Sequence, residues 1–215
     1  MNKESREKLR ALIKDRKFAK SLKEISMDRR FTGNEYLTKI LDKAIDFDYL
    51  MREYCKLLKE PGPSSPPTSC DALIVKDDGR YILIEFKNGK IQSIKRDVKR
   101  KMSDSMLCLL DILGESVAFA REHFEFILVY NESRNRKEKL ERTDHLDKKK
   151  YRSRRKLGKK EIQHSEFFTV FSNSVAEHAK VELILPGFGL YQGLWWKAVH
   201  TYNNRKFKYE YHKGL

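Results

Sequence analysis

The sequence predicts an α/β fold, in which helices pack on a central β-sheet. Three segments support this prediction. Residues 72–86 contain two short apolar runs separated by a turn sequence, residues 91–113 repeat apolar residues at helical spacing, and residues 124–130 form an apolar, β-rich run. Strands and helices that alternate along a chain in this way are typical of α/β proteins.

The first 60 residues are predicted to be helical. Residues 4–25 carry apolar side chains among many basic ones, which indicates one or two amphipathic helices. A further helix is expected over about 33–59, where Thr32 would be the N-cap and Glu35 would complete a capping box. Its buried face would consist of apolar residues at helical spacing, namely Leu37, Ile40, Leu41, Ala44, Met51, Cys55 and Leu58. The proline-rich residues 61–67 then form a stiff connector.

The hairpin predicted over residues 72–86 depends on the length of its loop. Residues 77–79 form a three-residue loop if Gly79 adopts a positive φ, as glycine readily does. In this register Asp71 lies opposite Glu85, and Lys87 shares their face because strand side chains alternate. A two-residue loop would instead scatter the three charges over both faces.

Both faces of this hairpin are apolar apart from these charges. The charged face also contains Leu73, Val75, Tyr81 and Leu83, and the other face contains Ala72, Ile74, Ile82, Ile84 and Phe86. A strand pair covered on both sides should not end in three ionisable groups unless something pairs them. The alternative is a solvated end of the hairpin, where such charges form weak cross-strand pairs.

Two carboxylates and an ammonium group at one end of a hairpin suit phosphodiester hydrolysis. Carboxylates are hard oxygen ligands for Mg²⁺, and an ammonium group can stabilise the charge that develops on phosphoryl oxygens. Asp71, followed after thirteen residues by Glu85-Phe86-Lys87 in an apolar strand, resembles the PD-(D/E)XK nuclease superfamily. The similarity covers about forty residues.

The resemblance implies a restriction-endonuclease-like core with a mixed sheet, dependence on Mg²⁺ or Mn²⁺, and cleavage of nucleic acid, with DNA favoured over RNA. It implies metal ligation by Asp71, Glu85 and the Phe86 backbone carbonyl, with Lys87 as the catalytic lysine. Cys70 stands where the signature has proline. No first strand is apparent in the sequence between the preceding helix and Asp71, which leaves the sheet topology open.

The superfamily usually contributes a further acid from a helix before the strand that carries the aspartate. Glu35 is one candidate, but the capping box explains it without catalysis. Asp48 is the other, because it falls within the apolar stripe of the predicted 33–59 helix, where an unpaired carboxylate would be costly. The alternative is that this helix breaks near residues 46–48, so that Asp48 caps its second half.

The charge of the chain indicates a polyanionic partner. The net charge is +15 and the isoelectric point is about 9.6. Residues 134–160 contain 14 Lys or Arg and 4 Asp or Glu, a net charge of +10, and form either a phosphate-binding insert or a solvated one. The candidate phosphate contacts in this insert are Lys148, Lys149, Lys150, Arg152, Arg154 and Arg155. A second candidate set lies in the 91–113 helix and comprises Lys95, Arg96, Lys99 and Arg100, for which a solvated helix face is the alternative.

The remaining features bound the class of protein. A chain of 215 residues suits one domain, and three isolated cysteines argue against a disulfide scaffold, so a reducing, cytoplasmic location is expected. No apolar run approaches the length of a membrane span. Further strands are expected at 167–171, 181–185 and 207–211, and Trp195 and Trp196 are expected in the core.

Two functions therefore remain open. One is a Mg²⁺-dependent nuclease that uses Asp71, Glu85 and Lys87. The other is a basic nucleic-acid-binding protein with a degenerate nuclease fold, in which the hairpin charges are structural. The sequence leaves open whether the chain forms a homodimer.

Overall fold

A six-stranded mixed β-sheet lies at the centre of the computed structural model, which describes residues 3–28, 35–58, 67–135, 185 and 188–214. In chain order the strands are β1 (Ala19–Ser21), β2 (Met27–Asp28), β3 (Glu35–Tyr36), β4 (Lys43–Asp46), β5 (Ala72–Val75), β6 (Tyr81–Lys87), β7 (Phe124–Tyr130) and β8 (Ala198–Asn203). The sheet has the order β1-β4-β5-β6-β7-β8, and β2 pairs separately with β3. Neighbours from β1 to β6 are antiparallel, whereas β6, β7 and β8 are parallel. The predicted α/β class is confirmed.

Helices cover both faces of the sheet. They are α1 (Lys3–Leu12), α2 (Leu22–Ile25), α3 (Phe47–Leu57), α4 (Ile91–Leu113), α5 (Val117–His123) and α6 (Asn204–His212), with a 3₁₀ turn at Gly189–Tyr191. Residues of α1, α3, α4 and α5 join one apolar cluster with one face of the sheet, and residues of α2 and α6 join a second cluster on the other face. None of the helices in the described ranges has the length and apolar character needed to cross a bilayer.

The predicted hairpin, the helix that follows it and the next strand are confirmed. Leu73 pairs with Leu83 across β5 and β6, and Gly79 has a φ of 94° in the three-residue loop. Helix α4 ends at Gly114, which adopts the left-handed conformation with a φ of 66°. The two faces of the hairpin contribute to different apolar clusters, so the hairpin is covered on both sides as expected.

The predicted helix over 33–59 is wrong, because its first half contains strands. Strand β4 pairs with β1 on one side and β5 on the other, and it supplies the strand that the sequence did not reveal before Asp71. Asp46 ends β4 and caps α3, since its carboxylate accepts a 3.0 Å hydrogen bond from the Tyr49 amide. Glu35 lies in β3, so it does not belong to a helix-capping box, and Thr32 is outside the described residues.

The C-terminal prediction is also corrected. Residues 207–211 belong to helix α6 and not to a strand, because the Asn203 side chain accepts hydrogen bonds from the Arg205 and Lys206 amides and caps a helix there. The last strand is β8, just before this helix. Trp196 is fully buried as expected, whereas Trp195 is partly buried against the same cluster. The strands predicted at 167–171 and 181–184 lie outside the described residues.

Candidate functional site

Asp71 lies directly before β5, at the end of the hairpin opposite to its loop. Its amide donates a 3.0 Å hydrogen bond to the Ile84 carbonyl, and its own carbonyl accepts a 3.0 Å hydrogen bond from the Phe47 amide at the start of α3. Its carboxylate oxygen Oδ2 accepts a 2.6 Å hydrogen bond from the Phe86 amide of β6. These contacts direct the Asp71 carboxylate across the strand end toward Glu85.

Glu85 and Lys87 complete the predicted group. The Glu85 side chain is fully buried, and its Oε1 atom lies 2.5 Å from Lys87 Nζ. The structure therefore brings Asp71, Glu85 and Lys87 together at one end of the hairpin, on the face that the three-residue loop predicted.

Lys101 on α4 is a fourth member of this group, and the sequence reasoning missed it. Its Nζ atom lies 2.9 Å from Oε1 and 3.1 Å from Oε2 of Glu85, and 3.5 Å from Oδ1 of Asp71. A signal was present, because Lys101 lies three residues after Val98 and four before Ser105, both of which are fully buried on α4. A lysine on the buried stripe of a helix requires a buried anion, and Glu85 and Asp71 provide it.

Burial disfavours the ionised form of both carboxyl groups. Burial and then the neighbouring Asp71 charge raise the pKa of Glu85 to about 7. Burial likewise raises the pKa of Asp71, against the opposing effect of Lys101. Burial alone would lower the pKa of Lys101, but the charges of Asp71 and Glu85 outweigh it and raise that pKa above its usual value. The group thus holds two carboxyl groups whose ionised form burial disfavours, and such groups beside a cleft are candidates for a functional site.

Helix α4 also positions the segment that leads into Asp71. The Thr68 hydroxyl donates a 2.7 Å hydrogen bond to Asp104, and the Cys70 amide donates a 2.7 Å hydrogen bond to the Ser105 hydroxyl. The Cys70 side chain is fully buried, and burial raises the pKa of its thiol well above the usual value. Cys70 therefore acts in packing, since a buried thiol with a raised pKa is a poor nucleophile.

Asp48 lies beside this group because α3 begins directly after β4. It occupies the first turn of α3, and its Oδ1 atom accepts a hydrogen bond from the Ser69 hydroxyl. It does not cap a second half-helix, because Asp46 is the cap. A cleft of about 340 Å³ borders this side of the carboxylates and is lined by Asp48, Met51, Arg52, Pro67, Thr68, Ser69 and Lys101.

A second cleft borders the other side of the group. It has a volume of about 180 Å³ and is lined by Ile25, Ser26, Met27, Asp28, Leu37, Asp71, Phe86, Lys87 and Asn88. Asp71 and Lys87 thus line one cleft, and Lys101 lines the other.

The donor set at the group consists of two carboxylates. Among the described residues, no three His, Cys, Asp or Glu side chains come together as a metal-binding group. Glu85 Oε1 is buried and has two ammonium groups close to it, Lys87 Nζ at 2.5 Å and Lys101 Nζ at 2.9 Å. Two carboxylates that converge on one shared cationic atom fit a hard cation.

The other predicted cations have varied surroundings. Lys99 Nζ lies 5.6 Å from the centre of the Tyr191 ring, and Arg100 lies 4.0 Å from Asp97. Lys95 is half-buried and Arg96 is exposed on the same helix. Lys101, the next residue along α4, is the one that reaches the carboxylates. The candidate phosphate contacts from Lys148 to Arg155 lie outside the described residues.

Comparison with known proteins adds no relative: no protein-family model, curated protein or solved structure matches this chain.

Proposed function

We propose that this protein is a metal-dependent nuclease that hydrolyses phosphodiester bonds of nucleic acid, with DNA as the favoured substrate. One observation carries the proposal. Asp71 and Glu85 converge from neighbouring antiparallel strands at a buried strand end, and both contact Lys101 Nζ, at 3.5 Å and 2.9 Å. A cationic atom already lies between the two carboxylates.

Asp71, Glu85 and the backbone carbonyl of Phe86 would hold Mg²⁺ or Mn²⁺. These are the oxygen donors that such ions prefer, and Asp71 is already oriented by the Phe86 amide. A bound divalent ion would supply Lewis-acid activation of the water and the phosphate. Asp48, in the adjacent first turn of α3, is the further acid named from the sequence, but it does not join Asp71 and Glu85 as a metal-binding group among the described residues, so it would act from beside the ion.

Lys87 would act on the reacting phosphate. Its stem leaves β6 on the same face as Glu85, and its side chain is about one-fifth exposed, so its ammonium group faces both the buried carboxylate and the cleft. From this position it can donate hydrogen bonds to a phosphoryl oxygen and stabilise charge that develops there. The ion pair with Glu85 holds the ammonium group in place, which limits the reorganisation needed during the reaction.

The mixed sheet supports a restriction-endonuclease-like core. The carboxylates lie on an antiparallel hairpin, and β6, the second strand of that hairpin, pairs in parallel with β7. The charge of +15 supports a nucleic acid partner. The same charge also suits the second candidate function, a basic nucleic-acid-binding protein that does not cleave.

A cleavage assay separates these two functions. Supercoiled plasmid, linear duplex, single-stranded DNA and RNA are incubated with the protein in Mg²⁺, in Mn²⁺ and in EDTA. We expect cleavage in either metal, none in EDTA, and none by an Asp71→Asn variant. Glu125→Gln is the matched control, because Glu125 is a buried carboxylate on the neighbouring strand that belongs to another ion-pair group. Binding without cleavage in every condition would support the non-catalytic function instead.

A further inference from the structure

Lys101 lies where a cation bound by both carboxylates would lie. Its Nζ atom contacts both oxygens of Glu85, at 2.9 Å and 3.1 Å, and Oδ1 of Asp71 at 3.5 Å. Lys87 approaches the group differently, with a 2.5 Å contact to Glu85 Oε1. Of the two ammonium groups, the one from α4 is therefore the one that bridges the carboxylates.

The charges of this group already balance. With both carboxyl groups ionised, Asp71 and Glu85 carry two negative charges, and Lys87 and Lys101 carry two positive ones. A divalent ion added to the intact group would leave a large uncompensated positive charge at a site where the Glu85 side chain is fully buried. Uncompensated charge at a buried site is costly, so a divalent ion would bind far more easily if an ammonium group left.

We propose that Lys101 is an internal counter-ion that occupies the divalent-cation position and must leave it when the ion binds. The proposal rests on the proposed function, because it assumes that Asp71 and Glu85 bind a divalent ion. Lys101 thereby lowers the affinity of the site for the metal and keeps the buried carboxylates neutralised before the metal arrives.

The structure also contains a place for the displaced ammonium group. Lys101 lines the 340 Å³ cleft together with Asp48, and the Asp48 carboxylate already acts electrostatically on it. A lysine stem has four rotatable methylene groups, so the ammonium group can turn from Asp71 toward Asp48 while its backbone remains in α4. There it would face the cleft beside the reacting groups, where it could bind a substrate phosphate.

Titration with Mn²⁺ alone tests this inference, with the free ion measured by its electron paramagnetic resonance signal. Lys101→Met removes the charge and keeps most of the stem. We expect it to bind one Mn²⁺ roughly 10- to 100-fold more tightly than the parent, the range by which groups next to ligands change metal affinity. Lys101→Arg keeps the charge and should show no such gain. Lys197→Met is the matched control, since Lys197 pairs with Glu125 in a different ion-pair group, and it should bind like the parent.

The outcomes distinguish the two proposals. Equal or weaker Mn²⁺ binding by Lys101→Met, or an equal gain with Lys101→Arg, would overturn the counter-ion role while the metal site stands. If neither the parent nor the variants bind Mn²⁺ in a manner abolished by Asp71→Asn, both the metal site and the counter-ion role are wrong. Thermal unfolding shows whether each variant folds, and Lys101→Gln replaces Lys101→Met in the same comparison if the methionine variant does not.

Discussion

Two buried glutamates on neighbouring parallel strands have opposite surroundings. Glu125 on β7 is 5% exposed and lies on the face of the sheet opposite to Glu85. Arg80 donates to both of its carboxylate oxygens, at 3.3 Å and 3.2 Å, and Lys197 lies 3.8 Å away. Arg80 also binds Asp78 in the hairpin loop. Glu125 thus joins the hairpin to β7 and has cationic partners of its own.

Glu85 on β6 shares its partners with a second carboxylate. Asp71 lies beside it, and Lys101 contacts both. Burial and, after it, the Asp71 charge raise the pKa of Glu85 to about 7. The comparison shows that burial of a carboxylate is not by itself a mark of function. What distinguishes the Glu85 group is that two anions converge on one cation at a strand end that borders two clefts.

The largest expected effect is on cleavage. Lys87→Met should reduce the cleavage rate at least about 100-fold, the reduction typical when one group that stabilises transition-state charge is removed, while duplex binding survives. Lys197→Met, at the Glu125 group, should cleave at the parent rate. Rates under single-turnover conditions and affinities in Ca²⁺ provide the measurement. If Lys87→Met impaired binding and cleavage equally while remaining folded, Lys87 would be a binding residue.

A smaller effect is expected on stability. Here Glu125→Gln should lower the free energy of unfolding more than Glu85→Gln does. Glu125→Gln leaves the partly buried Arg80 with Asp78 alone, so the free energy of unfolding should fall by roughly 2 to 3 kcal/mol at pH 7.5. Glu85→Gln removes a carboxylate whose ionised form is disfavoured, so the decrease should be about 1 kcal/mol or less. Urea denaturation of both variants measures this, and a larger decrease for Glu85→Gln would reverse the comparison.

The pH dependence of stability should differ between parent and Glu85→Gln. Below about pH 4.5 the Glu85 carboxyl is protonated in both the folded and the unfolded chain. As pH rises toward 7, the Glu85 carboxyl ionises more readily in the unfolded chain than in the folded chain, where its pKa is about 7. The parent therefore loses stability relative to Glu85→Gln. The relative decrease should be on the order of 3 kcal/mol and should level off above pH 7. A difference that stays constant from pH 4.5 to 8 would contradict the raised pKa.

The part of this site that could be predicted from sequence is the part that local geometry determines. Gly79 and the two-residue alternation of β5 and β6 set the register, and the register placed Asp71 opposite Glu85. Helix α4 was visible because its apolar stripe extends over 23 residues and ends at a glycine. These features depend on residues close together in the chain.

The parts that could not be predicted depend on distant partners. Residues 43–46 form β4 because β1 and β5 pair with them, yet their apolar side chains also fit a helical stripe. Residues 207–211 alternate like a strand, but the Asn203 cap and the packing of Phe207 on Phe86 favour a helix. Lys101 lies on the buried stripe of α4, but Glu85 and Asp71 are 16 and 30 positions away, so its partners are identified only when α4 packs on the hairpin.

The smallest effect per residue is expected on the salt dependence of nucleic acid binding. Here the comparison is between an arginine that forms ion pairs and arginines that are exposed. Arg96 and Arg100 are exposed on α4, whereas Arg80 forms ion pairs with Glu125 and Asp78. Because each phosphate contact releases a counterion, neutralising Arg96 and Arg100 should flatten the log-log salt dependence of duplex binding by about 0.9 for each phosphate that is no longer bound. Neutralising the six cations from Lys148 to Arg155, which lie outside the described residues, should flatten it more if the basic insert tracks the backbone. Titrations of labelled duplex at several salt concentrations compare the two sets. An unchanged slope for the insert, with a reduced slope for the helix variant, would place the binding surface on α4 beside Lys101.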